Sequence, residues 1–152
     1  MKLKKYLYTA FITIFIASCA STAVISNSVT SETLASDYDS AWSKVIRFFS
    51  TNQIGIGTLE KESGIVTIKG ENLAMDVIRR YCIDAAKATP FLWTPVYGTA
   101  TGSVTLVDEG GFVTANVNVS FSVTSMYGAQ IMVNRCESSG EFENSLLETL
   151  RS

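Results

Sequence analysis

The chain has 152 residues, 47% of them hydrophobic and 17% charged, with a net charge of −2 and no histidine. That length suits one domain with a sizeable core, and the apolar content excludes generic disorder, which needs low hydrophobicity and high net charge. The charge balance offers no basic surface for nucleic acid, and the missing histidine excludes Ser-His-Asp and Cys-His catalysis and every His-ligated metal site.

Residues 1–18 read as a secretory signal. Lys2, Lys4 and Lys5 form a basic start, and the apolar run from Tyr6 to Ala17 is too short to span a bilayer. The run closes on Ile16-Ala17-Ser18-Cys19, which resembles the lipobox of bacterial lipoproteins. That resemblance implies cleavage before Cys19, lipidation of its thiol and attachment to a membrane. Ala20 in place of aspartate implies, by Gram-negative sorting rules, the outer membrane with the domain facing the periplasm. An ordinary signal or signal anchor with an incidental cysteine is the alternative. Cleavage leaves nine basic against fourteen acidic side chains, a balance of −5. Anionic lipid heads would repel such a body, so the acyl chains must supply the attachment. With Cys19 assigned to lipid, Cys82 and Cys136 remain as an even pair in an oxidising compartment, which predicts a disulfide. Two buried free thiols are the alternative.

Residues 19–35 are rich in serine and threonine and suit a tether, although Ser28 to Leu34 could add an edge strand. A single domain is expected over residues 36–152. Ser36, with Asp39 three residues on, predicts a helix start. Tyr38, Trp42, Val45 and Phe49 then share one helical face as far as Thr51-Asn52. Strands are predicted over 53–60 and 64–70, joined by Lys61-Glu62-Ser63. Residues 71–90 admit either a helix, with Leu73, Val77, Tyr81 and Ala85 on one face, or an extended segment. Thr89 to Gly98 holds both prolines and three aromatic residues, which predicts a stiff loop. From Thr99 the pattern is β: strands over 99–107, 111–124 and 130–136 form a meander. Val113 to Val123 alternates with polar residues, as in a sheet packed on one face only. Ser138, Glu141 and the stripe Phe142, Leu146, Leu147 and Leu150 predict a final helix.

The sum is an α+β domain of two layers, an antiparallel sheet (a hairpin plus a three-stranded meander) packed by an N-terminal and a C-terminal helix. The stretch Asp39-Ser-Ala-Trp42-Ser-Lys-Val-Ile46, followed by the glycine-containing hairpin at 56–65, resembles the domains of BamC-type envelope lipoproteins. The likeness covers about residues 30–70, and the cysteine pair is not a feature of that family.

The acid–base candidates are carboxylates. Asp37, Asp39, Asp108, Glu109, Glu141 and Glu143 all fall at helix starts or turns, where capping and the helix dipole account for them. No metal site, cofactor or catalytic residue is expected. Phe91, Leu92, Trp93 and Tyr97, with Arg79 and Arg80 nearby, either anchor a partner or cover one end of the sheet. The expected function is that of a non-catalytic interaction module with an envelope protein partner and membrane attachment through Cys19. The alternative is a carrier of a small apolar or lipid ligand held between helix and sheet, lined by Met75, Met126 and Met132.

Overall fold

A computed structural model of the chain describes residues 29–83, 85 and 89–152. Cys19 and the signal segment lie outside the described residues. The order of elements is β1 (Val29–Leu34), α1 (Tyr38–Thr51), β2 (Ile56–Glu60), β3 (Ile65–Leu73), α2 (Met75–Tyr81), β4 (Cys82–Ile83), β5 (Thr94–Asp108), β6 (Val113–Tyr127), β7 (Gln130–Ser138) and α3 (Glu141–Arg151). Among the described residues the fold is mixed α+β, with three helices and a seven-stranded antiparallel sheet.

The hairpin and the meander are parts of one sheet. β3 pairs along β5, giving the path β2-β3-β5-β6-β7-β4. β6 is its axis. β5 pairs along the whole of one side, while the other side is shared by β1 over 113–118 and β7 over 121–127. The strand expected as an option at the end of the tether is therefore present, and the region assigned to the tether gives way to the sheet at Val29 rather than at residue 36.

Alternation along β6 decides the core. Val113, Ala115, Val117, Val119, Phe121 and Val123 are buried, while Thr114, Asn116, Ser120 and Ser122 lie on the other face. The helices bring Ala41, Val45, Phe49, Ile78, Phe142, Leu146 and Leu150 into the same cluster. Phe142 is its hub, with its ring 5.5–6.1 Å from those of Phe48, Phe49, Tyr81 and Phe121. Such ring pairs hold their mutual geometry more tightly than aliphatic contacts do.

Several local expectations are corrected. The first helix is capped by Asp37 rather than Ser36. The Asp37 carboxylate accepts from the Ser40 N–H at 2.8 Å, because an N-cap oxygen must sit just before the first helical residue. The same helix ends in a Schellman-type turn: Gln53 is left-handed, φ 56°, and the Ile54 N–H reaches the Phe49 carbonyl at 3.2 Å. The last helix starts at Glu141 with Gly140, not Ser138, at the cap. Ser138 instead donates to the buried Glu143 carboxylate at 2.9 and 3.0 Å and accepts from the Gly140 N–H.

The ambiguous segment resolves as both alternatives in succession, a two-turn helix α2 and then the short strand β4. The loop expected through Gly98 stops at Trp93. Pro95 to Gly98 belong to β5 and pair with 123–125, with a register shift between Pro95 and Tyr97. A proline's missing donor is tolerated at such an irregularity.

Candidate functional site

The site builds outward from α2. Gly98, buried in β5, has no side chain because Ile78 of α2 occupies its place: a Cβ there would lie 2.0 Å from Ile78 Cγ1. That close approach seats the helix on the sheet. Its exit is fixed by β4 pairing with the end of β7, Cys82 opposite Ser138. The Ser139 N–H also donates to the Tyr81 carbonyl at 2.8 Å, and the Ser139 hydroxyl to the Arg80 carbonyl at 2.9 Å. Cys82 and Cys136 lie at disulfide distance, their Cα atoms 5.6 Å apart. The cysteine pair expected from the sequence is thus placed where it ties the α2–β4 segment to the sheet.

Beyond that segment the chain makes a tight turn, Pro90-Phe91-Leu92-Trp93, closed by the Trp93 N–H on the Pro90 carbonyl at 3.0 Å. Leu92 has φ 75°, the left-handed value that a type II turn requires at its third residue and that glycine normally supplies. A branched residue held there is strained. Phe91 is 91% exposed and Leu92 65% exposed. Trp93 is half-buried and leans on Tyr127 with ring centroids 6.0 Å apart. The turn walls a depression of about 280 Å³ whose other side includes Met75 and Arg79.

Of the residues singled out from the sequence, Phe91, Leu92, Trp93 and Arg79 therefore share one concavity. Arg80 does not join them, and its guanidinium pairs with Glu141 at 3.3 Å. Tyr97 lies opposite Thr124 on the face of the sheet away from the core. There it joins residues that sequence reasoning passed over. Val133 flanks Thr124 from the other side, and the next pair is Met126 with Ile131. Thr124, on the face that is elsewhere open, is only 3% exposed, whereas Ile131 and Val133 are 65% and 61% exposed. A signal was present: Ile131-Met132-Val133 breaks polar alternation on a strand that must face water.

The methionines expected around an internal ligand do not converge. Met75 borders the depression, Met126 is on the outer face, and Met132, opposite Ser125, is on the inner one. A hollow of about 710 Å³ lies at the other end of the sheet between the β2–β3 turn and β5. Tyr38 and Lys61 in its wall are already engaged: the Tyr38 hydroxyl donates to the Lys61 carbonyl, and Lys61 pairs with Asp39 at 2.9 Å. Burial raises the Tyr38 pKa, with Lys61 opposing the rise.

The other carboxylates are similarly placed. Asp108 accepts from the Gly110 N–H at 3.0 Å, Glu109 from the Thr114 hydroxyl at 3.1 Å, and Glu141 meets Arg80. Among the described residues no cluster of His, Cys, Asp and Glu could hold a metal ion, and no helix is long and apolar enough to cross a membrane.

Fold and site together define a small α+β protein whose most distinctive surface is a strained, exposed aromatic turn. No family model matches the chain, and comparison with curated proteins and with solved structures likewise gives no match.

Proposed function

We propose that the protein is a lipid-anchored component of the bacterial cell envelope, attached to the outer membrane through Cys19 and acting through a non-catalytic module that faces the periplasm. The module is a two-layer α+β domain. Its helices cover one face of the sheet, and a disulfide between Cys82 and Cys136 braces the segment that carries the contact surface. That surface is the turn Phe91-Leu92-Trp93 with Arg79, continued by Tyr97 around the sheet, and it engages another component of the envelope.

The observation that carries this reading is Leu92, a large apolar residue exposed to water in a backbone conformation that disfavours it. Neither burial nor local geometry rewards leucine there, and unrewarded strain points to a contact made outside the fold. A non-catalytic role is supported by the absence of histidine and by carboxylates already occupied with caps, turns and ion pairs. The anchor is tested by metabolic labelling with palmitate. Wild-type protein should carry label and Cys19→Ala should not; unlabelled wild-type protein would overturn the reading.

A further inference from the structure

We infer that the end of the sheet carrying the aromatic turn seats on the lipid bilayer itself, so that the contact partner of this surface is the membrane interface rather than a protein. The inference rests on the anchor reading above and names the component that its surface meets.

Most of the exposed large apolar side chains stand at this end, against Leu59, Val107 and Phe112 at the other. Phe91 and Leu92 stand on one side of it, and Met126, Ile131 and Val133 on the other, all of them exposed. Trp93 packs at a tilt on Tyr127 at the same end. The register places these residues together, because Thr94 is opposite Met126 and Met126 is opposite Ile131. Trp and Tyr favour the headgroup level of a bilayer, where a ring has one apolar and one wet environment.

Charge separates this end from the other. Segments 91–97 and 124–135 contain a single charged residue, Arg135. The opposite end gathers Glu60, Glu62, Asp108 and Glu109 around the β2–β3 and β5–β6 turns. Anionic lipid heads would repel that acidic end, while segments 91–97 and 124–135 bring no carboxylate to the interface.

The anchor permits this orientation. β1 runs antiparallel to β6, so the chain comes into Val29 from the side on which β6 finishes. The ten steps from Cys19 to Val29 span at most about 35 Å. From Asn118, the partner of Val29, to Tyr127 is about 30 Å of strand. A lipid on Cys19 therefore reaches the apolar end. It also reaches the acidic end, and charge decides between the two.

The test uses the full lipidated chain reconstituted in mixed phosphatidylcholine and phosphatidylglycerol vesicles whose acyl chains are brominated or unmodified. Bromine quenches indole emission at contact range. The chain has two tryptophans, so wild type is compared with Trp93→Phe. Wild type should lose severalfold more emission to brominated lipid than Trp93→Phe does, and Phe91→Ser should reduce that loss. Equal quenching in the two chains would overturn the inference. The mass of the N-terminal peptide from the same vesicles reports the acyl chains. Their absence would overturn the anchor reading, whereas acylated protein with unquenched Trp93 would overturn only the seating.

Discussion

Leu92 concentrates the functional argument in one residue. Its left-handed backbone costs roughly 1 kcal/mol or more, and its exposed side chain returns little of that to the fold. Leu92→Gly should therefore stabilise the protein by about 1 kcal/mol in chemical denaturation while weakening its contact. A second residue-scale consequence lies where α3 meets β1. Arg151 donates from Nε and Nη2 to the two oxygens of Glu32, and this hydrogen bonding holds the Glu32 pKa below its ordinary value. A carboxylate whose pKa is depressed on folding stabilises the native state above the unfolded pKa, and that contribution is lost as pH falls through the folded value. Urea midpoints should therefore fall on acidification below the ordinary glutamate range. The fall should be shallower in Arg151→Gln, which removes the cause of the shift.

Among the elements, α2 is the most sensitive joint. Gly98→Ala would drive a Cβ into Ile78, which is fully buried and cannot swing away, and to 3.0 Å from the Ser122 carbonyl oxygen. Overpacking of this kind costs about 1–3 kcal/mol. Thermal denaturation should show that loss, and the loss should shrink in an Ile78→Ala background, where the two positions couple. The elements legible in the sequence were those with an unbroken period. The stripe from Tyr38 to Phe49, the alternation along β6 and the stripe of α3 each follow from side-chain spacing alone. What periodicity misplaced were the caps, because a cap is set by which oxygen sits one residue before the first turn. The joining of β3 to β5 was not legible either, since pairing across an intervening helix leaves no local pattern. The site was half legible. Composition marked Phe91 to Tyr97, but the pairing that adds Met126, Ile131 and Val133 exists only once β5, β6 and β7 are in register.

For the whole molecule, the cysteine pair and the division between its two ends carry the account. Cys82 and Cys136 are 54 residues apart, and a bond closing that loop stabilises by about 4 kcal/mol on the chain-entropy model. Reduction should lower the unfolding free energy by an amount of that order, read from denaturation with and without reductant. Because β4 is a two-residue strand at the edge of the sheet, paired with β7, exchange protection should fall first in the α2–β4 segment. The role of the aromatic turn as a contact surface rather than a cover for the core is the central claim. It is tested most directly by measuring melting temperature and membrane contact together for Phe91→Ser and Leu92→Gly. The account predicts melting temperatures equal to or above wild type, with the bromolipid quenching of Trp93 diminished in both. A clear fall in melting temperature with quenching unchanged would contradict it.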